Sequence, residues 1–168
     1  MKKIIIFLLI IGAGYHLWQR NRQTLDDKLN PEAIANPVYA ETRVKMEFPG
    51  RSAEAIMFAK TVDQADCQKL VQTMERQLES QMQSVCPACK APTSECKAEL
   101  APRYARLFDD APAAVTYVSM ARGQRSEREH RLIYWGVSVA ESDRLCDMLP
   151  GFQKGRKGTV TCVRARRE

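Results

Sequence analysis

Three cysteines lie close together in the stretch SVCPACKAPTSEC, residues 84 to 96. Cys86 and Cys89 have the Cys-x-x-Cys spacing with which two thiols close a small disulfide ring and exchange it with a substrate. One interpretation is therefore a thiol-disulfide oxidoreductase with Cys86 and Cys89 as catalytic residues. The pair follows a long predicted helix, however, and the negative end of a helix dipole raises the pKa of a thiol instead of lowering it. We keep this activity as an alternative.

A zinc site is the second interpretation, because Cys86, Cys89 and Cys96 offer three thiolates. A structural zinc ion needs four ligands. Cys67 precedes the cluster on the same predicted helix, and at about 1.5 Å per residue it lies about 30 Å away if that helix is straight. His130 could replace it only through a tertiary contact. The sequence therefore predicts neither a metal site nor a cofactor.

Structural disulfides are the interpretation that the sequence favours. A local bridge between Cys86 and Cys96 would pin the end of one predicted helix to the start of the next, and Cys146 could bond to Cys162. For Cys67 three alternatives remain: the first predicted helix is broken, Cys67 pairs with Cys146 or Cys162 instead, or Cys67 is a buried free thiol. The sequence does not choose among the connectivities. The predicted disulfide cysteines are Cys67, Cys86, Cys89, Cys96, Cys146 and Cys162.

The N-terminus is typical of a signal anchor. Lys2 and Lys3 precede an apolar stretch over residues 4–18. This stretch is just short of the roughly 17 residues that a transmembrane helix needs, and the stem of Lys3 with the interfacial Tyr15 and Trp18 extends it to a thin span. No small-residue cleavage site follows directly, so we expect residues 1–19 to remain as an uncleaved membrane anchor, with a cleaved signal peptide as the alternative.

The cysteines also indicate the compartment. Six cysteines are many for a cytosolic protein, whose thiols are kept reduced. Positive charges flank the apolar stretch almost equally and do not set its orientation. We therefore predict a single-pass protein of a bacterial inner membrane, held by residues 4–18, with its C-terminal domain in the periplasm.

The net charge of +6 comes mostly from the C-terminal end. Its basic residues could bind an anionic surface or an acidic partner, although a plain solvated end explains them equally well. Nucleic acid is not expected, because no aromatic residues are interleaved with the basic ones. The candidate residues for anionic-partner binding are Lys154, Arg156, Lys157, Arg164, Arg166 and Arg167.

Hydrophobic periodicity predicts the elements that position these residues. Residues 20–41 read as a linker and residues 42–168 as the folded domain. Capping boxes at Thr61–Gln64 and Ser138–Glu141 predict two helix starts, and Pro150 is expected to end the second of these helices. The predicted strands cover residues 44–48, 53–60, 115–121, 130–137 and 159–165. A further helical segment is expected after Thr93-Ser94, with an interruption at Ala101-Pro102 and an end near Asp109-Asp110.

The order β-β-α-α-β-β-α-β predicts an α+β domain. We expect a mostly antiparallel sheet of about five strands, with helices packed on one face and two hairpin-then-helix units that suggest internal duplication. The predicted function is a membrane-anchored periplasmic binding or accessory module of an envelope assembly, with no catalytic chemistry of its own. Its partner would be another envelope protein or an anionic surface. Besides the oxidoreductase, an inhibitor or immunity-type protein against an exported enzyme is an alternative.

Overall fold

The computed structural model describes residues 34–85 and 89–166. The predicted N-terminal anchor, Cys86 and Arg167 lie outside these residues. The strands of this part are β1 (Val38–Phe48), β2 (Arg51–Thr61), β3 (Thr93–Lys97), β4 (Tyr117–Met120), β5 (His130–Trp135) and β6 (Val160–Val163). The helices are α1 (Gln64–Val85), α2 (Pro102–Ala105), α3 (Val139–Asp143) and α4 (Leu149–Gln153), with 3-10 helices at Arg106–Asp109 and Arg144–Met148.

The strands form one antiparallel sheet in the order β3-β1-β2-β5-β4-β6, which confirms the α+β class and adds a sixth strand to the expected five. The β1–β2 hairpin is the longest pairing and runs from Val38 opposite Thr61 to Phe48 opposite Arg51. Gly50 has a positive φ of 77°, which glycine adopts without strain, and so closes the tight turn.

The same arrangement of elements occurs twice in the sheet. In residues 38–97 a hairpin, a helix and a third strand follow one another, and the third strand (β3) pairs beside the first (β1). In residues 117–163 a hairpin, a helical region and a third strand follow in the same order, and β6 pairs beside β4. We call these the N-terminal half and the C-terminal half. They meet where β2 pairs with β5.

Each half covers the same face of the sheet with its helical region. In the N-terminal half, Cys67 of α1 packs with Ala40 and Ala59, and Leu70 and Val71 of the same helix lie beside them. These α1 residues recur every three or four positions, as a helix that buries one narrow stripe requires.

In the C-terminal half the cover comes from short helices rather than one long one. Leu149 and Phe152 lie against buried residues of β4. The predicted capping box of Ser138 and Glu141 is confirmed at the start of α3. Pro150 does not end the helical region but lies in the first turn of α4, where a residue without an N–H group is tolerated.

The opposite face is also covered, contrary to the expectation of helices on one face only. Ile56 and Phe58 of β2 point to this face, where Tyr104 and Leu107 pack on them. The prediction of a helical segment after Thr93-Ser94 was wrong in its first part, because Thr93–Lys97 forms β3. The short helices that follow are needed on this face because β2 is a central strand with apolar residues on both sides.

The starts of β1 and α1 differ from the prediction. The strand β1 starts at Val38, so residues 38–41 of the predicted linker belong to the sheet. The helix α1 starts two residues later than the predicted capping box. Asp63 accepts a hydrogen bond from the backbone N–H of Asp66 at 2.8 Å, whereas Thr61 remains in β2 and its hydroxyl donates to the carbonyl of Val38 at 2.7 Å.

Candidate functional site

The disulfide of the N-terminal half joins Cys67 of α1 to Cys96 of β3, with Cα atoms 6.0 Å apart. The sequence argument that kept Cys67 out of reach was wrong. After α1 the chain reverses, and β3 runs back along β1 until Cys96 lies opposite Ala40, beside the first turns of α1. Cys96 therefore pairs with Cys67 and not with Cys86.

The disulfide of the C-terminal half joins Cys146, in a 3-10 helix, to Cys162 of β6. This is one of the pairings that the sequence left open. The two bridges separate their cysteines by 29 and 16 residues. Restricting the unfolded chain over loops of these lengths stabilises the fold by about 3.6 and about 3.1 kcal/mol, respectively. Disulfide bonding is thus confirmed as a feature of the fold.

The predicted redox pair is described only in part, because Cys86 lies outside the described residues. Cys89 is disulfide-bonded, and no cysteine of the described residues is free. Cys89 also forms a β-bridge with Met46 at the open edge of β1, and the N–H of Lys90 donates to the carbonyl of Lys45 at 2.8 Å. These contacts guide the chain from α1 back toward β3.

An apolar groove of about 400 Å³ lies where the two halves meet. One wall comes from the tip of the β1–β2 hairpin, and the other from the end of β5 with the helices after it. Phe48 and Met148 of this lining are 39% and 46% exposed. The lining residues are Met46, Phe48, Arg51, Ala53, Tyr134, Val137, Glu141, Arg144, Asp147 and Met148.

A bidentate ion pair joins the walls of this groove. The guanidinium of Arg51 donates to both carboxylate oxygens of Glu141, at 2.9 and 2.7 Å. The Arg51 hydrogen bond, helped by the N–H and hydroxyl of Ser138, lowers the pKa of Glu141 to about 2. Arg51 also lies over the ring of Phe48, 5.4 Å from its centre. One arginine thus orients both a charged and an aromatic member of the groove.

A buried charge cluster lies on the opposite face of the sheet, around Glu41. This carboxylate is almost fully buried between Arg43 and Lys97, whose ammonium group lies 2.8 Å from it. The hydrogen bond to Glu41 raises the pKa of Lys97. Arg43 also bonds to Glu54 of β2 at 3.1 Å. Because every charge in the cluster has a partner across a strand boundary, its role is to join three strands.

The basic residues predicted to bind an anionic partner fall into two separate groups, before and after β6. The side chain of Arg156 is used internally, where it donates to the carbonyls of Ala121 and Arg128 at 2.9 Å each. Arg164 lies 3.5 Å from Asp143. Lys154, Lys157 and Arg166 are exposed.

His130, the alternative fourth zinc ligand, lies in surroundings that favour its neutral form. Its Nδ1 lies 3.0 Å from the carbonyl of Arg128. Burial, together with the nearby charge of Arg156, lowers the pKa of His130 to about 4. Within the described residues, no group of three or more histidine, cysteine or acidic side chains could hold a metal ion.

Comparison with protein-family models, with curated proteins and with solved structures found no match for this chain. A search of the described ranges for a helix apolar and long enough to cross a bilayer also found none. The candidate site therefore depends on geometry alone. Its central feature is the groove between the two halves.

Proposed function

We propose that this protein is a membrane-anchored, exported binding module that serves an envelope assembly and receives a partner in the groove between its halves. The anchor at residues 1–19, the single-pass inner-membrane topology and the periplasmic location are inferred from the sequence. Two disulfides in the described part support an oxidising compartment. We also propose that the halves arose by duplication, because each contains one helix-to-third-strand disulfide.

The groove is the observation that carries this proposal. Ligand sites occur preferentially between structural units, and their volumes are commonly about 300–1,000 Å³. This groove lies between the halves and exposes Phe48 and Met148 at its rim. An apolar side chain or short apolar segment of a partner would cover these residues. The charged rim formed by Arg51, Glu141 and Arg144 would fix its orientation.

The walls of the groove are held in place before any partner arrives. Met148 follows Cys146 closely, so the disulfide to Cys162 restrains that wall. The ion pair of Arg51 with Glu141 restrains the hairpin tip. A rigid site loses less conformational entropy on binding, which favours recognition of a partner.

Photo-crosslinking in cells tests this function. A photoreactive phenylalanine analogue replaces Phe48 or Met148 in the full chain, and in a matched control it replaces Val62, which is 55% exposed at the other end of the sheet. We expect a discrete protein adduct from positions 48 and 148 and none from position 62. Equal protein labelling from position 62, or no protein adduct from the groove, would contradict the proposal.

The same experiment separates the alternatives. The variant Cys86→Ser/Cys89→Ser should retain the adduct if the protein is a binding module. A thiol-disulfide oxidoreductase would instead lose its activity in that variant while remaining folded. The identity of the adduct distinguishes an envelope component from an exported enzyme, which an inhibitor or immunity-type protein would bind.

A further inference from the structure

Two neighbouring loops form a strongly basic surface at one end of the sheet. One loop spans residues 121–129 between β4 and β5, and the other spans residues 154–159 between α4 and β6. Together they contain six basic and two acidic residues, and we call them the basic loop pair. Arg125, Lys154 and Lys157 are exposed on it.

Glu127 holds the two loops together. Its carboxylate accepts hydrogen bonds from the backbone N–H groups of Gly123, Lys157 and Gly158 at 2.8, 2.6 and 2.9 Å. Burial alone would raise the pKa of Glu127, but these three bonds outweigh it and lower the pKa. The internal bonds of Arg156 join the same loops. The charges are therefore carried on a fixed surface and not on a loose tail.

This surface lies at the end of the sheet where the described chain begins. Ile34 lines a cleft of about 240 Å³ together with Arg122, Arg125 and Arg128. The predicted anchor ends at residue 19, fifteen residues before Ile34, and a chain of about 15 residues reaches at most about 50 Å when fully extended. Because the described chain begins at this end of the sheet, an anchor at residues 1–19 would hold the basic loop pair toward the membrane.

We propose that the basic loop pair binds anionic phospholipid headgroups of the membrane in which the chain is anchored. This inference rests on the anchor of the proposed function. It gives the domain an orientation, because the hairpin tip and its groove lie at the opposite end of β1 and β2. The groove would then face away from the membrane, toward a partner.

Binding of the basic loop pair to anionic lipid should depend on charge and on salt concentration, and both dependences can be measured. Each lysine or arginine close to an anionic membrane surface strengthens association by about fivefold. The interaction is screened by salt, since the Debye length falls from about 10 Å at 0.1 M to about 3 Å at 1 M. Tethering keeps the surface at a high local concentration, so a modest affinity suffices.

Hydrogen–deuterium exchange on the full chain in lipid nanodiscs tests the proposal. The discs contain either phosphatidylcholine alone or phosphatidylcholine with phosphatidylglycerol. We expect amide exchange in residues 121–129 and 154–159 to slow several-fold in the anionic discs, and to return to the neutral-disc rate in 1 M salt. Exchange in the hairpin turn, residues 49–52, should be equal in both discs.

Charge-reversal variants provide the matched control. The variant Arg125→Glu/Lys154→Glu/Lys157→Glu should lose the protection. A second variant, Arg76→Glu/Lys90→Glu/Arg166→Glu, makes the same change of net charge at exposed positions away from the loops and should retain it. The salt response of the unaltered chain tests the proposal even if a variant does not fold.

The outcomes separate this inference from the proposed function. If the chain is not retained in discs of either composition, the anchor is wrong. If the chain is retained and the loops exchange equally in both discs, the anchor holds and lipid binding by the loops is refuted. Equal loss in both charge variants would also refute it, because net charge and not the loop pair would then be responsible.

Discussion

Arg131 is expected to hold the short helices against the sheet, and its replacement by methionine tests this directly. The side chain is 3% exposed. Its guanidinium donates to the carbonyls of Leu107 at 2.7 Å and Phe108 at 3.3 Å, at the end of a 3-10 helix, and lies 3.2 Å from Asp110. Burial lowers the pKa of Arg131, which the charge of Asp110 partly opposes.

The hydrogen bonds of Arg131 give the size of the expected change in the free energy of unfolding. A hydrogen bond to a charged group contributes about 1.5–3 kcal/mol, and the longer bond to Phe108 lies at the weak end. Methionine would leave both carbonyls without this donor but would spare the desolvation of the guanidinium. We therefore expect Arg131→Met to lower the free energy of unfolding by about 3 kcal/mol. The exposed neighbour Arg106 gives a control, since Arg106→Met should cost under about 0.5 kcal/mol.

Urea unfolding of the full chain in detergent measures the difference. Trp135 packs against the same apolar cluster, so its fluorescence reports loss of this layer once Trp18 is replaced by phenylalanine. With a slope of about 2 kcal/mol per M, the expected loss moves the midpoint down by about 1.5 M at an unchanged slope. If Arg131→Met and Arg106→Met unfold at the same midpoint, the guanidinium does not hold this layer.

Two further predictions concern pH and backbone packing. Because the pKa of His130 is lowered to about 4, the unfolded chain binds a proton that the folded chain does not, between that pH and its unfolded pKa of about 6.5. The free energy of unfolding should therefore fall by up to about 3 kcal/mol as the pH drops through this window. In His130→Asn, urea titrations between about pH 6.5 and about pH 5 should show a smaller dependence of this free energy on pH. Gly158→Ala would place a Cβ 2.0 Å from the carbonyl oxygen of Ala121, so calorimetry should show a Tm lower than that of Gly151→Ala, whose Cβ meets nothing within 4 Å. If Gly158→Ala and Gly151→Ala have the same Tm, the backbone segments at Ala121 and Gly158 can move apart without loss of stability.

Local patterns in the sequence were enough to predict the hairpin, α1 and the start of α3. Val44, Met46 and Phe48 alternate as a half-buried strand requires, and α1 has one apolar stripe. The strand β3 carried no such signal. Its sequence TSECK has no apolar alternation, because an edge strand gains its position from pairing with β1.

The candidate groove could not be predicted from the sequence in the same way. Arg51 and Glu141 are far apart in the chain and meet only because β2 pairs with β5. Glu41 was assigned to a linker, since a carboxylate gives no sign that two cations will bury it.

The matching disulfides have a consequence for how this sheet can open. Sheets tend to fray from their outer strands, where unpaired N–H and C=O groups can also recruit another chain. Here β3 and β6 are the two outer strands, and Cys96 and Cys162 fasten each to a helix on the same face. Detachment of β3 or β6 from its helix therefore requires reduction of a disulfide as well as thermal energy. In an oxidising compartment the two outer strands would remain attached, which would protect the protein from strand exchange and aggregation.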